Sequence, residues 1–174
     1  MANGSIRVNV PKLDLQTELQ KQLADLVGQA TANKVATELI LEMCEEGGYV
    51  PIGNADRIDS GYGFKDTLPG LLRTTGRATE KLVIWDTPYA HYVWEGIIYG
   101  PNIPIHMQGS PRVVVGWASK PGVKKHPTGR QMEYSTLRAE RHWVQAMLRN
   151  ERRVFNNAVT RKLKAIAKKR GKTW

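Results

Sequence analysis

Between Asp86 and Gly96 the chain reads DTPYAHYVWEG, which sets His91 and Glu95 four residues apart. On a helix that spacing puts an imidazole and a carboxylate on one face, as two ligands of one metal ion require. A metal centre needs further ligands, and neither HExxH, CxxC nor HxH occurs in the chain. His106 and His126 fall in segments rich in Pro and Gly, and His142 precedes Trp143 in a basic stretch. Ser60 and Ser110 each neighbour a glycine, but neither lies in the GxSxG strand-to-helix turn of a hydrolase nucleophile. The stretch SGYGFKD, residues 60–66, lacks the GxxxxGK[ST] spacing of a phosphate loop and reads as a turn. Glu45 and Glu46 stand together at a helix end and read as solvated. No catalytic, metal-ligating or cofactor-holding constellation emerges, and the expectation is a protein that is not an enzyme.

The elements that must carry these residues follow from periodicity. Ile6, Val8 and Val10 alternate with polar residues and predict a short strand ended by Pro11. From Asp14, an N-cap residue type, Leu15, Leu19, Leu23, Leu26 and Val27 recur at helical spacing, and Val35, Leu39, Ile40 and Met43 resume it. The stripe falters between Gly28 and Lys34, which leaves a kinked helix or two shorter ones open, and Gly47-Gly48 ends it. Residues 47–77 have loop chemistry, with a brief apolar patch at Leu68, Leu71 and Leu72. KLVIW, residues 81–85, predicts a strand, after which Thr87 and Pro88 suit the start of a short helix. Residues 96–112 read as a second long loop. Val113–Trp117 predicts another strand, and its pairing with residues 81–85 is the simplest sheet. Trp143, Met147, Val154, Phe155, Ala158, Val159, Leu163 and Ile166 predict a helix from about Glu133 to Lys169. The expected fold is α+β: a small antiparallel β-sheet packed against a long N-terminal helix and a long basic C-terminal helix, with extended loops at 47–77 and 96–112.

A chain of 174 residues suits a single domain. Its only cysteine, Cys44, lies in an apolar helical stretch, so no disulfide forms within the chain and an inert buried thiol is expected. The N-terminus lacks the basic-then-apolar pattern of a secretion signal, and no apolar run approaches a membrane span, so a reducing cytoplasm is expected. The formal charge of +10 is uneven. Residues 149–174 hold ten Lys/Arg against Glu151 alone, net +9, while the remaining 148 residues hold 16 basic and 15 acidic residues, net +1. The expected organisation is one α+β domain over 1–148 and a basic helical arm over 149–174, continuous with it. Arg161, Lys162, Lys164, Lys168, Lys169, Arg170 and Lys172 are candidate contacts to DNA or to an acidic partner. A DNA-binding accessory protein acting through this arm is the alternative function, although no known nucleic-acid-reading module is present.

Three ordered segments carry a resemblance. They are DTLPGLLRTTGRA (66–78), KLVIWDTPYAHYVWEG (81–96) and KKHPTGRQMEYSTLRAERHWVQAMLRNERRVF (124–155). Together they resemble the phage minor capsid protein family, related to tail-component and tail-completion proteins of the virion neck. The match spans roughly residues 66–160 and departs from the family pattern in the GIIYGPNIPIHMQGSPR stretch and the MEYSTLRAER insertion. The resemblance implies a structural virion protein at the head-to-tail joint, assembled in the host cytoplasm into a homo-oligomeric ring. Its implied partners are its own copies, neighbouring portal, adaptor or tail-tube proteins, and packaged DNA by non-specific contact, with no membrane. It implies no catalysis. Aromatics without partner acids or bases suit packing or a subunit interface. Pro88, Tyr89, Tyr92, Trp94, Glu95 and Trp143 are assigned there, with Glu95 facing an adjacent subunit.

Overall fold

A computed structural model describes residues 6–9, 18–51, 71–87, 90–119, 122–134 and 136–172. The fold is α+β. Strand β1 (Ile6–Asn9) and strand β3 (Leu82–Trp85) are antiparallel, and β2 (Gly76–Ala78) lines the other edge of β3. Register sets Ile6 opposite Trp85 and Val8 opposite Val83. Alternation therefore gathers these four apolar side chains on one sheet face, and all four are buried. On the opposite face Ile84 lies between Arg7 and Arg77.

Helix α2 (Gln29–Glu46) packs on β2 and β3, while α1 (Glu18–Val27) and α5 (Trp143–Lys169) pack on α2 and on each other. The break left open in the N-terminal stripe is resolved as two helices. Gly28 sits between them at φ +89°, a backbone state open to glycine at no steric cost. Helix α2 ends as its Gly-Gly pair predicts. Gly48 turns left-handed, and the Tyr49 N–H returns to the Cys44 carbonyl at 3.0 Å. Leu23, Ala32, Ala36, Ile40 and Cys44 are sealed from solvent, as are Leu163 and Ala167 of α5. Each such large apolar side chain contributes about 1.5–3 kcal/mol by leaving water.

Helix α5 is bent at Glu151, whose φ of −120° interrupts it. The expected boundary at 148/149 falls inside this helix. Phe155, Val159, Leu163 and Ala167 beyond it belong to the core, so the basic segment is a packed helix of the body. Val154, assigned to the apolar stripe, is 55% exposed; after the bend the buried face passes through Phe155 instead.

Three other expectations are corrected. The strand at 81–85 pairs with β1 and β2, not with Val113–Trp117. A short link brings β2 back onto β3, with the Thr79 N–H donating to the Leu82 carbonyl at 2.8 Å, and closing so short a loop costs little entropy. The presumed loop at 96–112 is strand: β4 (Ile97–Gly100) pairs with β7 (His126–Gln131), and β5 (Asn102–Met107) pairs with β6 (Ser110–Ser119). Pro104, Pro111 and Pro127 hid this. In two-stranded ribbons every strand is an edge, and edges tolerate proline. Part of the 47–77 loop is likewise ordered, as helix α3 (Leu71–Thr74) and β2.

The C-terminal helix begins at Trp143, ten residues after the expected start. Met132, Tyr134 and His142, ahead of the helix, are held by tertiary hydrogen bonds. The Met132 N–H donates to the Gly96 carbonyl at 2.8 Å, the Tyr134 phenol to the Val93 carbonyl at 2.6 Å, and the His142 N–H to the Trp94 carbonyl at 3.1 Å.

Candidate functional site

The motif DTPYAHYVWEG forms a corner that leaves β3 at Trp85 and enters helix α4 (Ala90–Glu95). Thr87 is buried, and its carbonyl accepts the Ala90 N–H at 3.1 Å, which closes the first turn. Pro88 and Tyr89, assigned to this corner, lie outside the described residues. The corner exits through Gly96 at φ +67°. A Cβ there would stand 2.9 Å from the Tyr134 hydroxyl and 3.0 Å from Arg141 Cβ, so the glycine is required by conformation and by space.

At the centre are three indoles. The Trp143 ring meets Trp94 at 4.7 Å and Trp85 at 5.4 Å between centroids, both edge-to-face. Trp85 and Trp143 are fully buried and Trp94 nearly so. Edge-to-face pairs set the positive ring edge against the negative ring face, adding about 0.5–1.5 kcal/mol to their burial. Of the six residues assigned to packing or an interface, Trp94 and Trp143 are therefore core residues. Tyr92 is half-buried, its ring 4.7 Å from that of Tyr99 on β4.

His91 and Glu95 share helix α4 but have different partners. His91 is exposed, with its ring 5.8 Å from Tyr92 and 6.3 Å from Tyr99. The Glu95 carboxylate is 3.7 Å from Nε2 of His142, so it turns toward its own chain. The His142 ring also lies 5.2 Å from Trp94. His142 is the residue before α5, with left-handed backbone at φ 51°. Among the described residues no group of three His, Cys, Asp or Glu is placed to hold a metal ion. His106 and His126, expected in loops, are exposed on β5 and β7. Ser110 opens β6, whereas Ser60 and the rest of SGYGFKD lie outside the described residues.

Other titratable groups serve the core. Burial pushes the Cys44 thiol well above its ordinary range, and Glu45 adds to the effect, so the sulfur stays protonated. Glu45, expected to be solvated, is half-buried, and burial raises its carboxyl; the indole N–H of Trp85 and the charge of Arg73 pull it back, while Glu46 adds to the rise. This carboxyl lies over Gly76, where a Cβ would fall 2.0 Å from Glu45 Oε1 and 2.9 Å from Trp85 Nε1. Sequence reasoning overlooked Gly76, and its only signal was a glycine opening a three-residue strand. Burial pushes the Tyr134 phenol up to about 12, keeping its proton on the bond to Val93.

The basic candidates divide. Arg170 and Lys172 donate to the carbonyls of Val27 and Leu26, and so complete the C-terminal end of α1. Lys162 pairs with Glu42 of α2 at 2.9 Å. Lys164 is half-buried and engaged within the fold. Arg161, Lys168 and Lys169 face solvent. Among the described residues no helix is long and apolar enough to cross a membrane. Comparison with known proteins yields no counterpart: no family model, no curated protein and no solved structure matches this chain.

Proposed function

We propose that this chain is a non-enzymatic structural protein of a tailed-phage virion, acting at the head-to-tail joint as a tail-completion or head-closure component that forms a homo-oligomeric ring. One observation carries the reading. Two of the segments that resemble the minor capsid family meet in a single packing unit. Trp85 and Trp94 come from the 81–96 segment, Trp143 comes from the 124–155 segment, and their indoles pack together. The first segment adds Leu72 to the same core. The motif thus supports a framework role, with Tyr92 and Trp94 engaged in packing and its histidine and glutamate separately partnered. Neighbouring copies and portal, adaptor or tail-tube proteins are the partners. Electron microscopy of the particle that carries this chain tests the reading: a ring of its density at the neck is expected, and purified particles without the chain overturn it.

A second reading, a DNA-binding accessory protein, retains support from Arg161, Lys168 and Lys169 on the solvent face of α5. Replacing all three with Glu abolishes duplex binding at low salt if they carry it, and leaves it unchanged otherwise.

A further inference from the structure

Four of the six large apolar side chains most open to solvent among the described residues are Ile103, Val113, Val114 and Val123. They belong to the β5–β6 ribbon and the turn that follows it. Ile103, Val113 and Val114 are 46%, 45% and 44% exposed. Val113 and Val114 are consecutive, so the ribbon is uncovered on more than one side. Each strand finds its main packing partner in the other. A two-stranded ribbon alone in water is marginally stable, and its open edges and apolar side chains invite a partner.

The charge pattern selects that partner. From Gly96 to Met132 the sequence holds five Lys/Arg and no Asp or Glu, whereas residues 1–95 hold nine Lys/Arg against thirteen Asp/Glu. Arg112 on β6, Lys124 in the segment after it and Arg130 on β7 are exposed. Glu18, Asp25, Glu46 and Glu80 are exposed on the body and enter no ion pair among the described residues. Two ribbons meeting about a two-fold axis bring like charges together, while a ribbon on the N-terminal half of another copy brings opposite charges together. A nucleic acid backbone satisfies the cations but leaves the isoleucine and valines uncovered.

We propose that the β5–β6 ribbon is the donor side of a head-to-tail contact between copies of this chain, docking on the acidic N-terminal half of the next copy. Repeated contacts of this kind build rings or open filaments according to the rotation per copy. For closure the proposal rests on the ring reading above.

The test is sedimentation of the full-length chain from low to high micromolar concentration. The wild type assembles, and rising salt disperses it. Val113→Asp with Val114→Asp yields monomers, with far-UV dichroism matching the wild type and a thermal midpoint matching that of the wild type at dilutions where it is monomeric. Arg112→Glu raises the dissociation constant of the contact by about tenfold or more while leaving the apolar contact in place. From the acceptor side, Glu18→Lys with Asp25→Lys, or Glu46→Lys with Glu80→Lys, has the same effect. Mixing a donor-dead with an acceptor-dead variant restores dimers and nothing larger, because such a pair retains one intact contact. Two results overturn the proposal: a wild type that is monomeric throughout, or ribbon variants that still assemble, and loss of binding to a DNA duplex in such assembling variants would assign the ribbon to nucleic acid instead. None of these bears on the location of the chain in a particle, which the neck image decides separately.

Discussion

The indole of Trp94 stands edge-on to that of Trp143 at 4.7 Å, joining the helix of the aromatic corner to the first turn of the C-terminal helix. Trp143 is sealed from solvent and also touches Trp85, so one side chain ties sheet, corner and helical layer together. Trp143→Ala is expected to cost about 3–5 kcal/mol, the range for truncating a buried aromatic. Urea unfolding followed by dichroism measures it. His91→Ala, on the exposed side of the same corner, should stay within about 0.5 kcal/mol.

Gly76 and Gly96 are predicted to resist even alanine, for different reasons. At Gly76 the added methyl collides with the Glu45 carboxyl and the Trp85 ring, and at Gly96 it meets both crowding and a left-handed backbone. Each substitution should destabilise by more than about 1 kcal/mol. Gly109→Ala serves as a control in thermal unfolding: its φ of +79° carries strain, but a Cβ there meets open space, so a smaller loss is expected.

Glu45 makes stability depend on pH. Its folded carboxyl is raised above its unfolded value by burial. Its favourable contribution is therefore complete below the unfolded value and is lost as pH rises through the folded one. Glu45→Gln removes the burial penalty on the charge. It should raise the thermal midpoint at neutral pH, and the difference from wild type should shrink on acidification toward pH about 4. A midpoint difference independent of pH would count against this account.

Truncation before residue 161 should damage the fold as well as remove charge. It deletes Leu163 and Ala167, both fully buried, and the Arg170 and Lys172 bonds to the end of α1. Loss of Leu163 alone is worth about 2–5 kcal/mol by the cost of emptying a core site. Amide exchange of α1 should accelerate in the truncated chain. An unchanged exchange pattern would mean that this segment is a dispensable arm after all.

Much of this was legible in the residues. Alternation identified β1, the apolar run KLVIW identified β3, helical spacing identified the N-terminal helical stretch and the C-terminal helix, and Gly47-Gly48 marked a helix end, because each of these signals is local. The site was legible only in part. Trp94 and Trp143 were named for packing or a subunit interface, and both lie in the core. Glu95 was expected to face a neighbour, and it turns to His142, a partner that sequence distance conceals. Residues 96–112 were read as loop because their prolines argue against a buried strand, while the ribbons offer them edges.

What the sequence by itself determined is therefore the set of local choices: which stretches wind into helix, where strands alternate, where glycine must break the chain, and how charge divides along it. Tertiary structure decided the rest. It chose β1 and β2 as the partners of β3, delayed α5 to Trp143 by bonding Met132, Tyr134 and His142 to the corner, and enlisted Arg170 and Lys172 at the end of α1. The physical reason is that a backbone hydrogen-bonding group accepts any well-placed partner, and burial rewards whichever arrangement removes the most apolar surface from water. Both are settled by the approach of distant segments, which no local pattern records.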